Sequence, residues 1–301
     1  MEICCAFISP RRGPAQNALD LIYECALFVL GLAFGSFLNV CISRIPREQS
    51  VVTPGSHCPA CDASVRWHDN IPLLGWILLR GRCRDCHARI SLRYPVVELL
   101  IAILFTACYA WFGPSWLILK FCIFSFLLVG LLFMDAETGL LPREFTYTGI
   151  VLGLAFPLLV PTDSSGTQLL VRAYGAHFSA VQISFLDSVL GALVGAGFFF
   201  VASGLYFLAR KRPGMGTGDF ALVAMSGAFL GLKLTLLVIF LAPLIATAYA
   251  LIRMVRSVGH TVSLGEMLQT WEIPFGVFIS ASSMAVAFFG EAAWRWYVGF
   301  F

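Results

Sequence analysis

The chain has 301 residues, 59% of them hydrophobic and 12% charged, and a formal net charge of +3. Soluble domains carry about 25% charged residues, so this composition, with a mean hydropathy of +0.84, excludes an ordinary soluble globular protein and points to a bilayer. The small net charge offers no electrostatic footprint for nucleic acid, and ten cysteines in a chain this long do not make a disulfide scaffold.

Residues 1–20 read as a mixed amino-terminal tail, in which Arg11-Arg12 lacks the apolar pair of a twin-arginine export signal. Leu21 to Ile42 is the first span. It is too long for a signal-peptide core and no small-residue cleavage site follows, so it is expected to be an anchor. Residues 43–94 are polar, hold eight arginines and are the only stretch long enough for a small soluble domain. Apolar runs follow at about 95–113, 114–134, 145–161, 185–209, 220–230, 234–252 and 274–290, with Gly231-Leu232-Lys233 separating the fifth and sixth of these. A spanning helix needs about 20 apolar residues. The pattern therefore predicts an all-α polytopic membrane protein of about eight transmembrane helices with a small zinc-ribbon-like loop domain. The expected divisions are a tail at 1–20, the first span with its loop at 21–94, and a membrane body at 95–301.

Orientation follows from positive charge. If the 43–94 loop is cytoplasmic, so are those at 135–144, 210–219 and 253–272, and together they hold fourteen of the twenty Lys and Arg residues. That bias predicts both termini outside. Arg11-Arg12 point the other way and are outnumbered.

Two constellations carry chemistry. Cys58-Pro-Ala-Cys61 and Cys83-Arg-Asp-Cys86 are C-x-x-C pairs 21 residues apart, and two such knuckles present four thiolates suited to tetrahedral zinc. Four sulfurs close the site, so its expected role is structural. His57 and His87 adjoin cysteines but are not needed as ligands, and His68 reads as an ordinary loop histidine. The other six cysteines (Cys4, Cys5, Cys25, Cys41, Cys108, Cys122) read as small packing residues in a reducing compartment.

The second constellation is Gly214-Met215-Gly216-Thr217-Gly218-Asp219, set between the basic triplet Arg210-Lys211-Arg212 and a long apolar run. Glycines at 214, 216 and 218 let a second backbone approach closely. Helix capping would account for Gly218-Asp219 taken alone, but a carboxylate at the mouth of a membrane helix is a functional candidate. Asp135 follows the third span and Asp219 precedes the sixth, so topology puts both on one face whichever way the chain inserts. Two facing aspartates share a proton, one activating water and the other polarising a carbonyl. Glu137 is expected to face solvent, and Glu98 to pair with an arginine such as Arg93. A proton-coupled transporter using the same aspartates is the alternative reading; it requires polar residues threading the spans.

From about Gly35 to Gly290 the chain resembles the bifunctional prepilin peptidases, polytopic aspartyl proteases of type IV pilus and type II secretion systems. The resemblance is carried by Gly35-Ser36-Phe37-Leu38-Asn39-Val40, both cysteine pairs, Asp69-Asn70-Ile71-Pro72-Leu73-Leu74, Arg80-Gly81-Arg82-Cys83, Arg93-Tyr94-Pro95 and Glu98. It continues through Asp135 with Leu141-Pro142, the glycine-aspartate motif and Ile273-Pro274-Phe275-Gly276. The resemblance implies that Asp135 and Asp219 are a catalytic pair in the inner membrane, acting on prepilins and pseudopilins at the cytoplasmic surface. It also implies S-adenosylmethionine-dependent methylation of the new amino terminus by the amino-terminal half, with Gly35 and Gly81 near that activity. Two positions depart from the family pattern, Arg143 in place of aspartate and Ala221 in place of lysine. Particular substrates, oligomeric state and the residues that bind the methyl donor are not legible in the sequence.

Overall fold

The computed structural model describes residues 14–161, 167–168, 171, 178–212, 214–257 and 274–299. Arg11-Arg12, most of the expected tail, Cys4, Cys5 and most of the loop at 253–272 lie outside the described residues. Among those described, the chain forms eight α-helices: α1 Pro14–Arg44, α2 Leu74–Leu78, α3 Arg93–Phe112, α4 Leu117–Thr138, α5 Arg143–Leu159, α6 Ala180–Arg210, α7 Thr217–Ser257 and α8 Phe275–Val298. Six of them (α1, α3, α4, α6, α7 and α8) are long and apolar enough to cross a membrane. Each of the eight expected spans falls on a described helix. The run at about 145–161 is α5, with 17 residues, and the runs at 220–230 and 234–252 are two limbs of α7. That helix is broken at Gly231, whose φ of 78° is costly for any residue with a Cβ.

The chain divides into two compact units, Met1–Asn39 with Gly55–Ile118, and Val40–Pro54 with Leu119–Phe301. In the first, α1 and α3 pack through Gly31 and Gly35. A Cβ at either would fall 2.5 Å from Ala102 Cα or 2.6 Å from Glu98 Cα. Lipid gives helices no hydrophobic reason to associate, so close backbone contact through small residues four apart takes that role. Asn39 Nδ2 donates to the Tyr94 carbonyl at 3.0 Å, and Tyr109 OH donates to Asp20 Oδ1 at 2.7 Å.

In the second unit α7 packs against α5, α6 and α8. Its interior is filled by Phe124 stacked on Phe229 at 4.6 Å, with Leu128, Met134, Leu222, Met225 and Ile279 fully covered. The first limb of α7, residues 217–230, is about 21 Å long at helical rise. That is shorter than the roughly 30 Å hydrocarbon core of a bilayer.

Candidate functional site

The cysteine pairs form two copies of one turn. The Cys58 amide donates to the Ala63 carbonyl at 2.9 Å and the Cys83 amide to the Ala88 carbonyl at 2.8 Å. Single antiparallel bridges close each turn, His57 with Ser64 and Arg82 with Arg89. Asp62 and His87, each just after the second cysteine of its pair, have φ of 58° and 59°. The four Sγ atoms lie within 4.8 Å of one another, with Cys58 to Cys86 at 3.8 Å and Cys61 to Cys83 at 4.0 Å. Tetrahedral zinc with bonds of about 2.3 Å separates its sulfurs by about 3.8 Å, so the four cysteines fit that ion. Backbone amides at Ala60 and then Cys61 pull the Cys58 thiol down to about 7, while at Cys61 the pull of the Ala63 backbone is outweighed by the crowding of the other sulfurs, which pushes that thiol up to about 12. His57 hydrogen-bonds the Gly55 carbonyl at 3.1 Å and stays out of the cluster.

The stretch between the knuckles is held from both sides. Arg84 grips Asp69 with two hydrogen bonds, Nε to Oδ2 at 2.7 Å and Nη2 to Oδ1 at 2.5 Å. The Arg84 guanidinium holds this carboxyl below its ordinary range. Gly81 has φ of 66°, and a Cβ there would fall 2.7 Å from the Trp76 ring. The Trp76 indole itself donates to the Ile90 carbonyl at 3.3 Å. Glu98 does not pair with Arg93 as the sequence suggested. Its Oε2 accepts the Leu73 amide at 2.8 Å and its carboxylate also bonds Ser36. Arg93 lies over the Tyr94 ring at 4.8 Å. The difference arises because Leu73, with φ of 58°, turns its N–H towards α3, and a backbone amide can satisfy a buried carboxylate without burying a second charge. Gly35 and Gly81 therefore stand at separate contacts in one unit, the first against Glu98 and the second against Trp76.

The two aspartates come together in the second unit. Asp135 lies in the last turn of α4, which Gly139 ends with φ of 65° as its amide bonds the Asp135 carbonyl at 2.9 Å. The Asp135 side chain is buried, whereas Glu137, one position past Ala136, is exposed. Asp135 Oδ2 accepts the Val277 amide at 3.0 Å, and the Gly276 amide bonds the same carboxylate. These are first-turn donors of α8 that have no partner within the helix. Asp219 is the third residue of α7. Its Oδ2 reaches back to the Gly216 amide at 3.2 Å, the side-chain-to-N-cap half of a capping box. Asp219 is thus not the N-cap residue that Gly218-Asp219 suggested but bonds back to Gly216 from the third helical position, and it lies near enough to Asp135 for the charge of one to act on the other.

Leu141 sits between the two helix starts. A Cβ at Gly218 would fall 2.8 Å from Leu141 Cβ, and one at Gly276 would fall 3.1 Å from Leu141 Cδ1 and 2.8 Å from Asp135 Oδ2. Two helix amino termini, those of α7 and α8, thereby converge on the carboxylate pair, and their partial positive charge offsets the repulsion of two acids at one place. Gly214 lies against Tyr206 of α6, where Phe199, Ala202, Ser203, Tyr206, Gly214 and Met215 line a cavity of about 200 Å³. Gly276 and Leu141 belong to sequence motifs, but the motifs give neither a contact. The four-residue spacing of small residues was the available sign at Gly31 and Gly35, but nothing local marks Gly276 as a partner of Asp135.

Gly276→Ala is expected to push the Asp135 carboxylate off the Val277 amide and lower turnover of any Asp135-dependent reaction about tenfold or more. Helical content should stay unchanged by circular dichroism. Wild-type turnover in the folded variant would remove Asp135 from the machinery.

Two family models match the chain. A bacterial peptidase A24 N-terminal domain covers residues 29–112, and the type IV leader peptidase family covers residues 122–251. Three relatives share the description prepilin leader peptidase/N-methyltransferase. The protein of Myxococcus xanthus (strain DK1622) is 40% identical over 209 residues, 69% of this chain and 56% of its own length. That of Aeromonas hydrophila is 33% identical over 94% of this chain and 96% of its own. That of Neisseria gonorrhoeae is 32% identical over 89% and 91%. No solved structure matches the chain.

Proposed function

The chain belongs to the type IV leader peptidase family, and from that membership we propose that it removes the leader of prepilins and pseudopilins and then methylates the new amino terminus. The observation that carries the peptidase half is the juxtaposition of Asp135 and Asp219 at two converging helix starts. One carboxylate, ionised, takes a proton from water as the water oxygen attacks the scissile carbonyl. The other, protonated, donates to the carbonyl oxygen, and collapse of the tetrahedral species returns a proton to the leaving amine. The Val277 and Gly276 amides fix the Asp135 carboxylate, and the Gly216 amide fixes that of Asp219. We assign the substrate approach to the backbone at Gly214, Gly216 and Gly218: Gly218 makes room for Leu141 and Gly214 for Tyr206, and at Gly216 only the Asp219 carboxylate is near, so an extended substrate backbone can lie alongside there.

The chain is a multi-pass membrane protein. We place its catalytic face and the cysteine loop in the cytoplasm and both termini outside, on the distribution of Lys and Arg. A substrate with a basic cytoplasmic leader and an apolar segment in the bilayer then presents its cleavage point at the depth of the two aspartates. Zinc, held by Cys58, Cys61, Cys83 and Cys86, would serve structure, since four thiolates leave no open position. S-adenosylmethionine supplies an electrophilic methyl group to a neutral amine. We assign that step to the unit containing α1, the loop and α3, where Gly35 lies against Glu98 and Gly81 against Trp76.

The reading is tested by incubating the purified protein in detergent with a prepilin-like peptide and S-adenosylmethionine and weighing the products. Loss of the leader and a gain of one methyl on the remainder are expected, and an unchanged peptide would overturn it. Gly81→Glu tests the assignment of methyl transfer. A side chain at φ of 66° aimed into Trp76 should abolish methylation while leaving leader removal within about twofold of normal. Full methylation by the folded variant would detach that step from the loop.

A further inference from the structure

Away from the carboxylate pair, the second unit buries a set of charges that the reaction above does not use. Asp187 of α6 is 7% exposed, Lys120 of α4 is 3% exposed and Thr167 is fully covered. Asp187 Oδ1 accepts the Thr167 hydroxyl at 2.5 Å and the Leu232 amide at 3.2 Å. Leu232 is the residue after the break at Gly231, so Asp187 caps the second limb of α7 from a neighbouring helix. A Cβ at Gly231 would collide with the Asp187 carboxylate. One turn further along α6, a Cβ at Gly191 would fall 2.8 Å from the Gly231 carbonyl carbon. The Lys120 and Lys233 charges act on Asp187, and Lys233 also pairs with Glu291 at 2.6 Å. Burying a carboxylate inside a membrane protein is costly unless it is paired and hydrogen-bonded, and the Leu232 amide and Gly231 put this one at the broken turn.

Resting on the reading of Asp135 and Asp219 as the peptidase pair, we propose that Asp187 is a positioning residue for that pair. It clamps the break in α7 and so fixes the limb whose other end carries Asp219. That limb runs over residues 217–230, ends at the break at Gly231 and packs at Gly218 against Leu141. Releasing the clamp lets the limb slide or rotate, and misplacement by about 1 Å is enough to cost catalysis about 100-fold.

The test compares Asp187→Ala, the double variant Lys120→Met/Asp187→Asn, and Leu193→Ala as a control, Leu193 being 65% exposed on the same helix. The double variant removes both charges but keeps an oxygen for the Leu232 amide. Asp187→Ala is expected to lower kcat for leader removal about 10- to 100-fold, leave KM within about twofold, and spare methylation of a pre-cleaved peptide. The double variant should recover most of that loss. Hydrogen exchange at Leu232 should accelerate in Asp187→Ala alone, and this readout does not depend on what Asp219 does. Unchanged kcat despite faster exchange would overturn the positioning role, as would a parallel fall in methylation or a double variant as slow as the alanine one. If instead Asp219→Asn cleaves normally, the peptidase pair itself is wrong, whatever exchange shows at Leu232.

Discussion

Asparagine at either Asp135 or Asp219 is expected to abolish leader removal while leaving the protein folded. The replacement keeps the size of the side chain and one oxygen, so the Val277 amide can still bond position 135 and the Gly216 amide position 219. It removes the proton that the pair passes between water and the scissile carbonyl. Each proton-transfer role contributes about 10²–10⁴-fold, and because the two acids act on one event the losses do not multiply. The double variant should be scarcely slower than either single one. Methylation of a pre-cleaved peptide should persist in all three, since the residues assigned to it belong to the other compact unit. Peptide mass spectrometry under single-turnover conditions measures both steps. Cleavage at the normal rate by a folded Asp219→Asn protein would remove the basis of the peptidase assignment.

Cys58→Ser is expected to empty the metal centre and unfold the loop that holds it. Between residues 55 and 92 only Cys58, Gly75 and Gly81 are buried, so this segment has no apolar core of its own. The hydrogen bonds that close its knuckles fix turns rather than bury surface. Structural zinc contributes about 10–16 kcal/mol to small cysteine-rich folds at neutral pH, which is the scale needed where hydrophobic burial is missing. Metal analysis should find close to one zinc per wild-type chain and little in the variant, and emission from Trp76, which is half-buried against Gly81, should shift towards that of solvated indole. Methylation should be lost with the loop, and chelation of the wild-type protein should reproduce the effect. A metal-free protein with an ordered loop and normal methylation would contradict the assignment.

Local composition made a large part of this protein legible. Apolar runs marked the helices because the bilayer imposes a length and a polarity on each one independently of its neighbours. The cysteine pairs were legible for a similar reason, since a knuckle is a short-range turn and its spacing is the signal. Topology alone brought Asp135 and Asp219 to one face, because the end of an odd-numbered span and the start of an even-numbered one must share a side. Gly231 marked the break in α7 because a residue without a Cβ is needed there.

What no local pattern contained is which partner each buried polar group finds. Asp135 takes its amide from Val277, 142 residues away. Glu98 takes the amide of Leu73 rather than an arginine, because a loop residue with positive φ happens to turn its N–H that way. Gly35, expected near methyl transfer, stands where α1 crosses α3. Lys120 and Asp187 belong to no motif read from the sequence, although an ionisable residue within a span is itself a sign of function. The sequence by itself determined the helices, the four cysteines that cluster and the face shared by two acids, since each follows from chain length, polarity and spacing. Only the tertiary structure decided the companions of those acids and the clamp on the broken helix, because a buried charge is satisfied by whichever donor packing brings to it.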